Sequence, residues 1–350
     1  MARRLLFALL FLAVAPRCQA QQVRVGVLSR FHPHRLELTA PRAEALVVRA
    51  GDSSVVLEPG ASANLRIAAG ELVIESRGAV LHSREVHAAG RLGAADFLLA
   101  VPGNAGRRYR GSLSIRVENG ELAATVSMDL ETAVASVVQA ESAPGTPLEA
   151  LKALAVAARS YYVAAKARHE DGGFCDLTHC QVLRGVPGRG STAARAAEET
   201  RGLVLAYDGK PFAAMFTRSC GGHTRTPAEN GMPANGYPYF PVICVYCHTS
   251  PYVWTRKVSR EDAELLRARG EAGRLAVDRR LGWNAVPSND FTARDDGAEV
   301  RLEGKGSGHG IGLCQRGAAA MAAGGAGFRQ ILSHYFPNSD VIPLTPASGR

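Results

Sequence analysis

Three side chains that can bond or move protons lie in one glycine-rich stretch near the C-terminal end, GSGHGIGLCQRG, which begins at Gly306. They are the imidazole of His309, the thiol of Cys314 and the carboxamide of Gln315. No hydrophobic strand leads directly into the stretch and no acidic ribose partner follows it, which disfavours a dinucleotide-binding loop. Bunched glycines allow positive φ and the close approach of another chain. We therefore predict the floor of a cleft for an extended polymer.

A second set of reactive side chains lies in RHEDGGFCDLTHC, just after a predicted helix. His169, Cys175, His179 and Cys180 supply two imidazoles and two thiols, which are suitable ligands for tetrahedral zinc. All four positions would be filled by protein, so the zinc would hold the loop rather than activate water. A Cys175–Cys180 disulfide is the alternative, and it is credible in an exported protein.

The remaining cysteines outside the first twenty residues are Cys220, Cys244, Cys247 and Cys314. Disulfides between the loops that carry them are the first expectation. CVYCH, from Cys244 to His248, also matches the haem c attachment pattern, but no axial methionine is obvious nearby and Cys220 and Cys314 would be left over. A metal site built from all four cysteines is a third alternative.

The sequence LETAVASVVQAESAPG indicates the position of an acid catalyst. Apolar residues at helical spacing end at Glu141, small residues flank this glutamate, and Pro144 and Gly145 force a turn. A carboxyl group that is partly shielded from water has a raised pKa and can stay protonated until it donates its proton to a substrate. Glu141 is therefore the candidate general acid, with a solvent-exposed helix end as the alternative.

The elements that position these groups change in character along the chain. From Val23 to about Gly106, short β-branched runs alternate with Gly, Asp and Pro, and strands continue to a turn at Asn119 and Gly120. Helices follow, including one that ends at Glu141 and one over residues 148–168 that we expect to open with a capping box. The pattern predicts a mixed α/β fold of the α+β class.

We divide the chain into four parts. Residues 1–20 have the charged start, short apolar run and small-residue end of a cleaved signal peptide. Residues 21–105 form a β-rich N-terminal module, residues 106–340 a catalytic core of helices and strands, and residues 341–350 a flexible tail. The protein is therefore expected to be exported to the periplasm or cell envelope, with no transmembrane segment after signal cleavage.

Composition limits the partners. The formal net charge is +9, and removal of the three signal-peptide arginines leaves about +6, spread along the chain. Aromatic residues are only 6% and basic residues are not clustered, which argues against nucleic acid as the partner. The moderate basic excess is compatible with an anionic envelope polymer.

Four segments in this order resemble the motifs of the stage II sporulation protein D family, whose relatives include the amidase-enhancer LytB proteins. They are LETAVASVVQAESAPGTPLEALKALAVAARSYYV, FCDLTHCQVLRG, MFTRSCGGHT and the glycine-rich stretch with the helix FRQILSHYFP that follows it. The similarity covers roughly residues 109–337. It implies a peptidoglycan lytic transglycosylase with Glu141 as the single catalytic glutamate, and zinc ligands in the loop of Cys175.

The resemblance also implies which residues bind the glycan strand. These candidate substrate-binding residues are Arg159, Tyr161, Ser219, Gly221, Gly222, His309 and Gln315. A structural ion pair is the alternative for Arg159, because an arginine in an apolar helix needs a partner. His309 either contacts the glycan or is bonded to a nearby carbonyl group.

The leading function is cleavage of the bond between N-acetylmuramic acid and N-acetylglucosamine without water. Hydrolytic glycosidases normally use a second carboxylate, whereas here the 6-hydroxyl of the sugar attacks and Glu141 serves first as acid and then as base. The second hypothesis is a non-catalytic glycan-binding protein that enhances a cell-wall amidase. The third, supported only by CVYCH, is an exported c-type haem protein.

Overall fold

The computed structural model describes residues 21–165, 173–234 and 236–344. The predicted signal peptide lies outside the described residues, as do Lys166 and Arg168 at the expected end of the second helix. The described residues form a mixed α/β structure, as the sequence predicted. None of their helices has both the length and the apolar character needed to cross a membrane.

Strands dominate the first third of the chain, and helices and short strands follow. The strands of the described residues are β1 (Gln22–Val27), β2 (Arg35–Thr39), β3 (Leu46–Ala50), β4 (Ser53–Leu57), β5 (Ser62–Ala68), β6 (Glu71–Ser76), β7 (Ala79–Ser83), β8 (Glu85–Gly90), β9 (Ala95–Val101), β10 (Ala105–Glu118), β11 (Glu121–Asp129), β12 (Phe174–Cys175), β13 (Leu203–Tyr207), β14 (Lys210–Pro211), β15 (Phe216–Thr217), β16 (Val253–Ser259), β17 (Phe291–Asp296), β18 (Glu299–Lys305), β19 (Leu313–Cys314) and β20 (Asp340–Pro343). The α-helices are α1 (Leu130–Glu141), α2 (Leu148–Ala164), α3 (Thr192–Glu199), α4 (Val245–Thr249), α5 (Arg260–Leu281), α6 (Gln315–Ala323) and α7 (Phe328–Tyr335).

The N-terminal strands and the start of the core share one sheet, in which β12-β1-β11-β10-β9-β2-β5-β6-β7 are neighbours. Strand β10 begins at the boundary drawn from the sequence between residues 105 and 106. It pairs with β9 through its first half and with β11 and β8 through its second half. The β-rich module is therefore joined to the core by a continuous strand and not by a linker.

Two hairpins follow from their turn residues. Asn119 and Gly120 connect β10 to β11, and Asp208 and Gly209 connect β13 to β14. All four have positive φ, between 49° and 79°, which is the conformation that type I′ turns require. The Asn-Gly pair thus gives the turn that the sequence predicted, and the Asp-Gly pair gives a second turn of the same kind.

Helix α1 ends at Glu141, as its apolar spacing indicated, and packs with α2 and α3 beside the sheet. The capping box expected at Thr146 is not formed. The Thr146 hydroxyl donates to the Ala143 carbonyl oxygen at 2.7 Å, inside the preceding turn. The Glu149 carboxylate instead accepts from the backbone N–H of Phe328 at 2.9 Å. The glutamate thereby connects α2 to the start of α7.

The last sheet strand corrects the predicted C-terminal tail. Residues 341–343, which the sequence analysis assigned to a flexible tail, belong to β20 and pair with β13 in antiparallel register. Val341 lies opposite Leu205 and Ile342 opposite Val204. Backbone pairing and partial burial therefore extend the ordered core to residue 343.

Residues 253–305 form a small lobe that directly precedes the glycine-rich stretch in the sequence. It consists of the sheet β16-β18-β17 and α5, and it has its own core, which includes Trp254, Leu266 and Leu302. Helix α5 is kinked at Gly270, where φ is 51° and ψ is −123°. A side chain at this position would collide with the backbone of Asn230, so the kink brings α5 against the main core.

Candidate functional site

Glu141 lies at the C-terminal end of α1, on the wall of an open groove. Its Oε1 accepts a hydrogen bond from the backbone N–H of Val182 at 2.9 Å, and Gln315 also bonds to its carboxyl group. Burial raises the pKa of Glu141 to about 7, although the Val182 bond and the charges of Arg184 and Arg218 partly oppose the shift. Near neutral pH the group can therefore both donate and accept a proton.

The groove extends to both sides of Glu141. Two adjoining cavities, of about 1200 and 1210 Å³, share Glu141, Arg218 and Gln315 among their lining residues. The first cavity runs towards the lobe, where Trp283 is 38% exposed. The second runs between α2 and α6 beside Pro144. The carboxyl group of Glu141 therefore lies where the two cavities meet.

The glycine-rich stretch lines the first cavity through Ser307, Gly308 and His309. His309 Nδ1 accepts from the backbone N–H of Ile311 at 3.1 Å, and its carbonyl oxygen accepts from Asn230 Nδ2 at 2.6 Å. In the neutral ring the proton is therefore on Nε2. The histidine ring is bonded to a backbone N–H group and lines the groove, and a contact between His309 and a glycan stays a prediction.

The glycines of this stretch are required by the protein's own packing. Gly306, Gly308 and Gly312 have φ of 83°, 94° and 71°. A Cβ at these positions would meet Ser219 O, Thr217 Oγ1 and Met215 O respectively, all within the same chain. The left-handed conformation and the tight contacts place His309 at the groove. Because atoms of the same chain surround these three glycines, the predicted contact between a glycan and the glycine backbone is not available there.

The structure brings Glu141, Tyr161, His309 and Gln315 to the groove, but it places Arg159 elsewhere. Arg159 is completely buried and forms a two-pronged ion pair with Glu131, with Nε–Oε1 and Nη2–Oε2 distances of 2.9 and 2.6 Å. Its remaining N–H groups donate to backbone carbonyls, including that of Leu203. A guanidinium satisfied in this way is a structural group, so this candidate substrate-binding residue is corrected to the ion pair.

Ser219, Gly221 and Gly222 are a second correction, because none of them lines the two cavities beside Glu141. Ser219 is buried, and its Oγ lies 3.6 Å from the sulfur of Cys247. Gly221 packs against Lys305 and Gly222 against α4. Both glycines have positive φ, which explains the residue type without a ligand.

The loop after α2 brings three of the predicted zinc ligands together. His179 Nδ1 lies 3.9 Å from Cys175 Sγ and 3.7 Å from Cys180 Sγ, and the three donor atoms are all within 4.8 Å of one another. Soft sulfur and imidazole donors at this separation suit a tetrahedral zinc ion. The fourth predicted ligand, His169, lies outside the described residues.

Sequence analysis missed Arg218 and the lobe residues that line the groove. Glu271 and Asp278, on α5, are bonded to Arg274 at 2.6 and 3.0 Å. These are the other carboxylates among the described lining residues of the first cavity, and both are engaged by that arginine. Arg218 could have been identified from the sequence, because it directly precedes Ser219 in the motif MFTRSCGGHT. The residues of α5 could not, because nothing in the sequence places this helix opposite Glu141.

Comparison with known proteins shows which family this chain resembles. The family model described as "Stage II sporulation protein" matches residues 118–207, which include Glu141, the Cys175 loop and α3. An uncharacterised protein of Brachyspira hyodysenteriae is 30% identical over 270 residues, covering 68% of this chain and 73% of the relative.

Two further relatives have names that describe a role. Stage II sporulation protein D of Bacillus amyloliquefaciens is 27% identical over 261 residues, covering 61% of this chain and 74% of the relative. The amidase enhancer of Bacillus subtilis is 24% identical over 272 residues, covering 55% of this chain but only 38% of the relative. The similarity to the enhancer is therefore confined to a part of that protein.

Proposed function

Since the chain belongs to the stage II sporulation protein D family, we propose that it cleaves peptidoglycan glycan strands as a lytic transglycosylase. Family membership indicates a cell-wall-related role. The cleavage reaction is inferred from the chemistry of the groove. One observation carries the proposal: the carboxyl group of Glu141 is shielded, has a pKa near 7, and lies where two cavities meet.

The proposed reaction needs one carboxyl group. Protonated Glu141 donates its proton to the glycosidic oxygen between N-acetylmuramic acid and N-acetylglucosamine, and the bond from that oxygen to the muramic acid C1 breaks. The 6-hydroxyl of the same muramic acid attacks C1 and gives its proton to the Glu141 carboxylate. The products are a 1,6-anhydro sugar end and a free hydroxyl on the leaving sugar, and Glu141 is again protonated.

The other charged groups of the groove are compatible with this use of a single acid. Glu271 and Asp278 both form ion pairs with Arg274. Neither therefore resembles the second carboxylate of a hydrolytic pair, which must be available to activate water or attack the sugar. Arg218 and Gln315 lie beside Glu141 in both cavities and can bond to sugar oxygens. Trp283 is partly exposed in the first cavity, where its large aromatic ring can pack against a sugar.

We also propose that zinc binds to Cys175, His179 and Cys180, with His169 as the fourth ligand. Such an ion supplies no reactive water, because protein atoms fill its coordination sphere. It would fix the loop that contains Val182, whose backbone N–H bonds to Glu141. Export to the periplasm or envelope is proposed with it, from the signal-like residues 1–20 and the envelope location of the substrate.

The name of one relative favours a second candidate, a protein that binds glycan and enhances a separate cell-wall amidase without cleaving anything itself. This role would use the same groove, Arg218 and Gln315 but would not need the proton of Glu141. The two candidates therefore differ in their dependence on that proton.

Product analysis tests the proposal. Purified mature protein is incubated with cell-wall sacculi and with glycan strands stripped of peptides, and the released sugars are identified by mass spectrometry. Lytic transglycosylase activity gives 1,6-anhydro-muramic acid ends. Reducing muramic acid ends would indicate hydrolysis, and binding without release, together with stimulation of an added amidase, would favour the enhancer role.

A further inference from the structure

Four cysteine side chains converge beside the groove at a point that the proposed reaction does not use. Cys220, Cys244, Cys247 and Cys314 are at most 2% exposed, and their sulfur atoms all lie within 4.8 Å of one another. They come from three separate segments: the loop after β15, the start of α4 and the end of β19. No disulfide joins them.

The distances fit one ion better than two disulfides. The Cys247 and Cys314 sulfurs are 3.6 Å apart, whereas a disulfide bond is about 2.05 Å long. Sulfurs bound at about 2.3 Å to one tetrahedral zinc ion are about 3.8 Å apart. A cluster of several irons would need its four cysteines spread more widely around it. The size of the cluster thus indicates a single metal ion.

The surrounding groups can donate hydrogen bonds to the sulfur atoms. The backbone N–H of Cys220 points to Cys314 Sγ at 3.4 Å, and the hydroxyl of Tyr335 lies 3.3 Å from Cys244 Sγ. Cys314 is also the N-cap of α6, where the helix dipole favours negative charge. Outer donors of this kind commonly orient and stabilise metal-bound sulfur.

A glycine leaves the space that the cluster occupies. A Cβ at Gly317, in the first turn of α6, would collide with both Cys244 Sγ and Tyr335 Oη. The absence of a side chain there lets α6 approach α4 closely enough for Cys314 to reach the other sulfurs. The same burial leaves no open surface at Cys244 and Cys247 for thioether bonds to a haem, which argues against the haem hypothesis.

We infer that Cys220, Cys244, Cys247 and Cys314 bind one zinc ion as a tetrathiolate site, separate from the loop of Cys175. Because protein sulfurs fill all four positions, the ion has a structural role. Cys247 and Cys314 enclose the lobe in sequence, so the zinc joins the two ends of the lobe to the core. It also fixes Gln315, which follows Cys314 directly, beside Glu141.

Metal counting tests the site without any glycan. The full mature chain carrying Cys180→Ser is used, so that the loop site is disabled, and zinc is measured by elemental analysis. We expect about one zinc per chain in this background and almost none after Cys247→Ser is added. Thr249→Ala, at the exposed end of the same short helix, is the matched control and should keep the zinc.

Thiol labelling of the unaltered protein keeps the test decisive if the double variant does not fold. The chain is denatured with a chelator but without reductant, alkylated and mapped by mass spectrometry. We expect all four cysteines to be alkylated, and cobalt substitution to give the visible bands of a tetrahedral thiolate site. Mapped disulfides among the four, or iron in place of zinc, would overturn the inference.

Discussion

The two ends of helix α1 each hold a shielded glutamate, and the two are used in different ways. Glu131, in the first turn, faces the Arg159 guanidinium at 2.6 Å and also accepts from the backbone N–H of Gly202 at 3.2 Å. Glu141, the last residue, has no ion-pair partner within 4 Å among the described residues, and burial raises its pKa to about 7. One carboxylate is bound in an ion pair, and the other can exchange a proton.

Helix direction accentuates the difference. The N-terminal end of a helix favours a negative charge and the C-terminal end disfavours it. The position of Glu131 therefore suits its ion pair with Arg159, while the ionised form of Glu141 is disfavoured by its position and its burial. A buried carboxyl group is a candidate catalyst when both its protonated and its ionised forms are accessible near the working pH.

The largest expected effect is on catalysis at the C-terminal end. Glu141→Gln preserves the shape of the side chain but cannot donate a proton, so cleavage of sacculi should fall by about 10²- to 10⁴-fold while glycan binding is retained. The measurement is the release of anhydro-sugar ends per folded molecule. Undiminished release from this variant would remove Glu141 as the acid.

The matched change at the other end should affect folding. Glu131→Gln leaves the fully buried Arg159 without a counter-charge, which should cost about 3–5 kcal/mol of unfolding free energy. Denaturant unfolding measures this loss, and activity per folded molecule should stay near that of the unaltered protein. Glu198→Gln, which breaks an exposed pair with Arg201, is the control and should cost less than about 1 kcal/mol. A loss of cleavage without a loss of stability in Glu131→Gln would contradict the comparison.

The pH dependence of stability gives an intermediate effect. Glu141 has an ordinary pKa of 4.5 when unfolded and about 7 when folded, so the folded state binds its proton more tightly. The stability that the folded state gains from this tighter proton binding is fully present below pH 4.5. It is lost as the pH rises through 7, because folding then requires a buried carboxylate. Glu141→Gln should therefore be more stable than the unaltered chain above pH 7, by about 1–3 kcal/mol. Equal stability of the two proteins at pH 8 would show that Glu141 is well solvated.

The smallest expected effect is a shift in the pH profile of cleavage. Arg184 is exposed and lowers the pKa of Glu141 by its charge. Arg184→Gln should raise that pKa, keep the acid protonated at higher pH, and increase the rate above pH 7 by about two- to threefold. A pH–rate profile measures the shift, and Arg189→Gln, on the same loop, is the charge-matched control. A profile that moves to lower pH would contradict this electrostatic account.

Much of the local structure follows from the sequence because it depends on short-range rules. Helical spacing and the Pro-Gly turn locate the end of α1 at Glu141, and the Asn-Gly and Asp-Gly pairs give two hairpins. The capping box at Thr146 was wrong, since a distant N–H, that of Phe328, competes for Glu149. The paired residues 341–343 were assigned to a tail because their partner, β13, is far away in sequence.

The sequence by itself indicated Glu141 as the candidate acid, and it showed the family resemblance and the residue types of both cysteine sets, because these features are visible in short continuous stretches. Only the tertiary structure decided which residues share the groove. It placed Arg159 in an ion pair, brought α5 opposite Glu141 and assembled four sulfurs from segments up to 94 residues apart. These contacts depend on how distant segments pack, and residue spacing along a chain does not specify such distances.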